Sequence, residues 1–387
     1  MSAVEVAFTE LLSEIIDNRG RSCPTAEKGL PLIATNCIKN DGLYPIYETE
    51  RYVDAETYEG WFRGHPKPGD ILFVCKGSPG TVALVPDPVD FCIAQDMVAV
   101  RADPSKVYPN YLFAVLRAPQ IRDQIYSMHV GSLIPHFKKG DFHKLRIPIL
   151  SESEQRFIGD AYVELSQKIE SNQRSTYLIK SLIKVEYQKA TSGVPEVPFT
   201  NVLEVEMGSP FSGEMFSEPG NGRPLIRIRD LKTFTPQVWT MESRSDEIVV
   251  RCGDVLVGMD AEFKSTIWLG VDGVLNQRLC RFSGKQGIGT AFTSLSIQRD
   301  LEFCERAKSG TTVIHLNKAD IDRFQVPDLN DKDHLSLLQA TEPLVELMKS
   351  KSLETRSLEL IRETLLPELL SGRIRVSDAE SILDGAA

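Results

Sequence analysis

No CxxC pair, no histidine at metal-ligand spacing from a cysteine and no apolar run of bilayer length occurs in this 387-residue chain. The seven cysteines (Cys23, Cys37, Cys75, Cys92, Cys252, Cys280, Cys304) are scattered and odd in number. That gives no sign of a paired disulfide framework or a CxxC-type zinc site, and reduced structural thiols are the expectation. Without about 18 consecutive apolar residues no segment reads as a membrane-spanning helix. The N-terminus, MSAVEVAFTELLSEIID, has neither the basic region nor the continuous apolar stretch of a signal peptide, so a cytoplasmic protein is expected. Asn-Pro-Pro-Tyr, Asp-Pro-Pro-Tyr and GxxxxGK[ST] strings are absent, so neither methyltransferase nor helicase chemistry is legible.

Positive charge is outnumbered, 44 Lys/Arg against 54 Asp/Glu. The net charge is −10, which in bulk opposes nucleic-acid binding. It is unevenly spread, however: residues 101–146 carry eight Lys/Arg against three Asp, whereas 330–387 carry seven basic against eleven acidic residues. One face can therefore meet phosphate while the molecule as a whole is acidic. With 42% hydrophobic and 25% charged positions, the chain has material for at least two ordinary cores.

What the chain has in plenty is itself. VGSLIPHFKKGDFHKLRIPIL (130–150) returns 179 residues later as SGTTVIHLNKADIDRFQVPDL (309–329). The offset holds through His136/His315, Lys139/Lys318, Asp141/Asp320 and Pro148/Pro327 to Ser192-Gly193 and Ser371-Gly372. Upstream it drifts, but Phe8 still matches Phe199, Leu32-Ile33 matches Leu225-Ile226, and Gly69-Asp70 matches Gly253-Asp254. A period this long means a duplicated domain rather than a solenoid. The expected fold is mixed α/β (α+β) with an internal pseudo-twofold repeat: globular units at 1–150 and 194–329, long helices at 151–193 and 330–372, and a loosely held tail to 387. Short strands are expected at 71–74, 82–85, 97–100, 255–257, 265–268 and 278–282, and short helices at 109–127 and 290–308.

The long helices carry a coiled-coil seam, with apolar and small residues alternating by four and three. In the first it runs Ile158, Tyr162, Leu165, Ile169, Asn172, Thr176, Ile179, Ile183, Glu186, Ala190; in the second, Leu337, Thr341, Leu344, Met348, Lys351, Thr355, Leu358, Arg362, Leu365, Leu369. The two are expected to pack on each other, with polar residues at the two middle positions fixing register at some cost in stability. Ser151 with Glu154 is a capping-box signature, and Pro367 should bend the second helix or end it early. About 40 residues make a rod of roughly 60 Å.

Two sheet-rich units separated by matched helices, with GDILFVCKGSPGTVAL, GSLIPHFKKGDFHKLRIPILSESEQ, GDVLVGMD, LNQRLCRF and LLPELLSGRIRV in order, resemble the specificity subunit of Type I restriction-modification enzymes. The resemblance spans essentially the whole chain. It implies that 1–150 and 194–329 are target-recognition domains, each reading one half of a bipartite double-stranded DNA sequence, and that the paired antiparallel helices set the spacer. It further implies no catalysis and no cofactor in this chain. S-adenosylmethionine belongs to two docked methylation subunits, with restriction subunits completing the enzyme. A rod of this length corresponds to under about 18 base pairs.

Base reading needs Arg or Lys toward guanine and Asn or Gln toward adenine, with phosphates held by cations, hydroxyls and backbone donors. The first unit offers Lys76 and Ser78 in a glycine-containing turn, then Gln95, Ser132, His136, Lys138 and Lys139. The second offers Arg227 and Arg229, two apart and hence on one strand face, then Lys264, Asn276, Gln277, Arg278, Thr311, Thr312 and His315. Structural alternatives stand beside these. Asp70 and Asp254 read as turn caps, His136 and His315 can orient a turn, and Arg227 or Arg229 can pair with Asp230 or Glu242. Two rival functions remain: an enzyme with Cys75 or Ser132 as nucleophile and His136 as base, against which the second half has Val257 and Thr311 at roughly corresponding places and no third member or nucleophile elbow is evident, and a non-catalytic protein-binding scaffold with a coiled-coil spacer.

Overall fold

The computed structural model describes residues 4–18, 22–40, 42–47, 51–131, 134–260, 262–308 and 315–379. The chain forms two compact units, Met1–Ser171 with Ser357–Ala387, and Asn172–Arg356, so each unit takes a portion of both long helices.

In the first unit an antiparallel sheet runs in the order Leu12–Ile16, Met97–Ala102, Ile71–Val74, Val82–Leu84. Ile71–Val74 is buried at every residue, as an apolar central strand covered on both faces should be. A three-stranded sheet holds Leu30–Ile33 between Tyr52–Val53 and Cys92–Ile93, the last pair being parallel. Val4–Ala7 pairs with Arg146–Ile149, returning the chain to its start just before the first long helix. Phe8, Phe73, Phe137 and Phe142 cluster in the core, with Phe142 centred 5.3 Å from Phe8 and 5.0 Å from Phe73. The 109–127 segment resolves into two helices, Pro109–Arg117 and Pro119–Met128. Pro119 drives Ala118 out of the helical region (ψ 139°) and then suits the first position of the next helix.

The second unit repeats this sheet by sheet: Leu203–Met207, Leu279–Gly284, Val255–Gly258 and Ser265–Ile267 form the antiparallel sheet. Arg223–Ile226 pairs parallel with Gly273–Leu275 inside a five-stranded sheet, and Glu196–Pro198 closes against Gln325–Pro327. Phe199 stands where Phe8 stands, 5.9 Å from Phe282 and 6.3 Å from Phe324. The helix break recurs at Ile297, the repeat counterpart of Ala118, between Thr290–Ser296 and Gln298–Lys308.

The long helices are Glu152–Thr191 and Asp331–Leu370. Ser151 and Glu154 cap the first reciprocally, Ser151 N donating to Glu154 Oε2 (3.0 Å) and Glu154 N to Ser151 Oγ (3.4 Å); Asn330 caps the second through Asp333 N (3.0 Å). The helices pair antiparallel. Ser166 meets Arg362 and Asn172 meets Glu354, while Ile179 and Ile183 pack with Val345 and Met348. Ile158, Ile169, Ile179, Ile183, Leu337, Met348 and Leu365 are buried, and Leu165, Leu344 and Leu358 half-buried.

The polar seam positions are bonded. Asn172 Nδ2 donates to Glu354 Oε2 (3.0 Å), which also receives Lys351 Nζ (3.0 Å). Arg362, 4% exposed, donates to Ser166 Oγ (3.1 Å) and lies over the Tyr162 ring.

Two expectations fail here. The helix runs through Pro367 to Leu370 because Leu365, Leu366 and Leu369 are all buried in the first unit's core, and this burial outweighs one lost backbone bond. The tail is not loose up to Ala379: Ala379 is fully buried and Ile374 and Val376 pack on the same core.

Candidate nucleic-acid interface

In each unit three loops meet at one end of the antiparallel sheet, held by the same backbone bonds. In the first, Cys75 N and Lys76 N donate to Asp96 O (2.8 and 3.2 Å), Phe137 N donates to Cys75 O (2.9 Å), and Gly77 N to Pro135 O (2.9 Å). In the second, Met259 N donates to Arg278 O (3.0 Å) and Leu316 N to Met259 O (2.8 Å). The parallel strands feed the same place, Ala94 N donating to Ile33 O (2.9 Å) and Asn276 N to Ile226 O (3.1 Å). The frame therefore brings Lys76, Gln95 and His136 together in one unit, and Asn276, Gln277, Arg278 and His315 in the other. Bridges Lys76–His136 and Asp260–His315 mark the equivalence. Asp96 adopts a left-handed conformation (φ 76°), which an aspartate tolerates and most residues do not.

On this shared frame the charges are exchanged. Where the first unit has Lys76 and Asp96, the second has Asp260 and Arg278. Asp260 holds its neighbours: His315 Nδ1 lies 2.6 Å from Asp260 Oδ1 and Arg278 Nε 3.5 Å from Oδ2. Ser78 is exposed in the 75–80 turn; Lys138 and Lys139 are exposed beyond His136, with Lys139 paired to Asp17. Ser132, Thr311 and Thr312 lie outside the described residues.

Three placements correct the sequence reading. Arg227 and Arg229 share no strand face, because the strand ends at Ile226 and Arg229 already has helical angles before Asp230–Thr233. Arg227 turns back instead, its Nε 3.8 Å from the fully buried Asp230, whose carboxyl burial pushes up; Arg229 is exposed. Lys264 lines a cleft with Lys180 rather than joining the three loops.

Asp70 and Asp254 are turn caps, accepting Lys67 N (2.7 Å) and Arg251 N (2.8 Å), and each also binds an arginine of the neighbouring strand, Arg101 (2.8 Å) and Arg281 (3.3 Å). The arginine partners are legible only once the strands are paired. Cys75 is a poor nucleophile: it is 6% exposed, and burial, then Asp17 and Asp96, pushes its thiol up to about 12. Among the described residues no His/Cys/Asp/Glu cluster could hold a metal ion.

The model of the Type I restriction modification DNA specificity domain matches twice, over residues 25–181 and 192–354. The chain belongs to that family. The specificity-domain chain is 23% identical over 191 residues to the Type I restriction enzyme EcoBI specificity subunit of Escherichia coli, a match covering 48% of this chain and 40% of that relative's length. Its fold is similar to a Type I restriction-modification S subunit from M. genitalium, with a TM-score of 0.57 at 16% identity over 92% of this chain and 96% of that one. An HsdS subunit from Thermoanaerobacter tengcongensis covers 96% of this chain and 97% of its own at 16% identity and a TM-score of 0.37. No helix of the specificity-domain chain among the described residues is long and apolar enough to cross a membrane.

Proposed function

We propose that this chain is the sequence-reading, non-catalytic subunit of a Type I restriction-modification enzyme. Each unit reads one half of a bipartite DNA target with the three loops at the end of its sheet, and the paired helices set the gap. The observation that carries the reading is one backbone frame, built twice, bearing different side chains at its tip. Lys76, Gln95 and His136 on one copy against Asn276, Gln277 and Arg278 on the other are different donor sets, as two different half-sites require. Asp260 orients Arg278 before DNA arrives, so less freedom is lost on binding. Ser78, Lys138 and Lys139 suit phosphate, which positions without specifying.

The partners follow from the same reading: double-stranded DNA, two methylation subunits holding S-adenosylmethionine, and restriction subunits, all in the cytoplasm. The first long helix carries an exposed stripe of Tyr177, Leu178, Leu182 and Val185, each 47–70% exposed, which suits a docked protein.

The test is Gln277→Ala with Arg278→Ala, co-expressed with the methylation subunit. The set of methylated sites should relax in one half only, each lost base contact costing about 1–3 kcal/mol. Uniform weakening over all sequences would assign both to phosphate, and an unchanged set would favour a protein-binding scaffold.

A further inference from the structure

The second unit contains an open cleft of about 680 Å³ that its twin has filled with its own chain. In the first unit the connection from Ile33 to Tyr52 is 18 residues (34–51); in the second, from Ile226 to Trp239, it is 12 (227–238). The longer connection lays Leu43, 1% exposed, along the outer sheet edge, where Leu43 O accepts Leu84 N (2.9 Å). Arg117, 6% exposed, closes the place by donating to Val82 O (2.8 Å) and to Gly42 O.

The shorter connection leaves the equivalent edge, Ser265–Ile267, without a strand beyond it among the described residues. Trp268 N donates inward to Asp254 O (2.7 Å), so by alternation Thr266 also bonds inward and the N–H of Ile267, the counterpart of Leu84, points into the cleft. The floor there is apolar: Ile183, Ile267, Ala291, Leu295 and Phe234. The rim is cationic, with Lys180, Lys184 and Lys264; the one acid lining it among the described residues, Glu262, is paired with Lys232 (2.9 Å). Burial and then the Lys264 ammonium lower the Lys180 pKa, so two like charges converge at the rim. The repeat counterparts of Lys180 and Lys184 are Glu359 and Glu363, so the rim is particular to this unit.

We infer that this cleft takes an extended acidic segment of a partner protein, which adds a strand to Ser265–Ile267, sets a large apolar side chain on the floor and places carboxylates against Lys180, Lys184 and Lys264. The occupant's class is argued from the twin unit, where a peptide with a buried leucine fills the same place, and from charge. An edge strand is a template for such pairing, with backbone bonds giving affinity and alternate side chains giving specificity.

The probe is a fluorescein-labelled peptide of residues 38–46 carrying Lys39→Glu and Asn40→Glu, titrated against the full chain by anisotropy. Saturable binding is expected, at least tenfold weaker for the Lys180→Glu/Lys264→Glu chain and lost when Leu43 of the peptide is replaced by Asp. Ser265 N already donates to Gln298 Oε1 (3.3 Å), so hydrogen exchange on the unmodified chain should show new protection at the Ile267 amide when peptide is added, a readout independent of how the variants fold. No saturable binding, equal binding by the charge-reversed chain, or unchanged exchange at Ile267 would overturn the inference. So would displacement by tripolyphosphate or by a 20-base-pair duplex at matched charge, which would make the rim a general polyanion site.

Discussion

One pair of positions shows how each unit seats its long helix. In the first unit Gly159, on the helix, faces Asn110 so closely that a Cβ would stand 2.5 Å from Tyr111 N. At the same two repeat positions the second unit has Leu338 on the helix and Gly289 opposite, where a Cβ would stand 2.7 Å from Leu338 Cδ1. The small residue has changed sides while the contact is kept. Gly159→Leu should therefore destabilise the first unit by about 1–3 kcal/mol through overpacking, read as a lowered denaturation midpoint. The same substitution at exposed Gly140 should leave it unchanged, since nothing lies within reach of a Cβ there.

The thiols give a second test at this scale. Burial pushes Cys75, Cys92 and Cys280 up to about 12. Their folded values exceed the unfolded ones, so the stability they contribute is complete below about pH 8.5 and is lost as pH rises toward 12. Melting followed from pH 8 to 11 should show a falling midpoint, and iodoacetamide at pH 8 should label half-buried Cys252 and Cys304 before Cys75.

At the scale of elements, the long helices were legible in the sequence because period and caps agree: Ser151, Glu154 and the apolar alternation mark the start and the seam directly. The end of the second helix was legible at Ser371-Gly372, where Gly372 takes φ 70°, but an early end at Pro367 was not borne out. A local rule about Pro367 was overridden by burial of Leu365, Leu366 and Leu369, which only the folded core reveals. The same limit explains the Arg227 misplacement: alternation along 223–229 cannot show that Ile226 is the last paired residue, or that Asp230 is buried and draws Arg227 back. The candidate site was legible as a set of loops through the duplication, with Gln95/Gln277 and His136/His315 at matched positions. The exchange of Lys76 and Asp96 for Asp260 and Arg278 emerges only when backbone bonds align the two frames.

Within the seam, Arg362 is the most buried cation, bonded to Ser166 and covered by Tyr162. Arg362→Ala should cost about 1–3 kcal/mol by opening a gap beneath the Tyr162 ring and removing one bond to Ser166, whose hydroxyl keeps its own bond to Tyr162 O (2.8 Å). Arg362→Met should cost less, because an apolar side chain of similar length fills the space. Thermal melts of the two variants side by side distinguish packing from polar pairing.

For the whole molecule, duplication accounts for both what is alike and what differs. Two frames with the same strand order and the same loop-holding bonds carry unlike side chains at their tips, and the two long helices that follow them pair antiparallel. Removing four residues, about one turn, from both helices should shorten the preferred spacer and leave both half-sites intact. The most direct measurement is a map of methylated adenines in DNA from cells that co-express the chain with its methylation subunit. The account predicts a single bipartite motif with a fixed gap under 18 or so base pairs; an uninterrupted motif, or no methylation despite a stable complex, would contradict it.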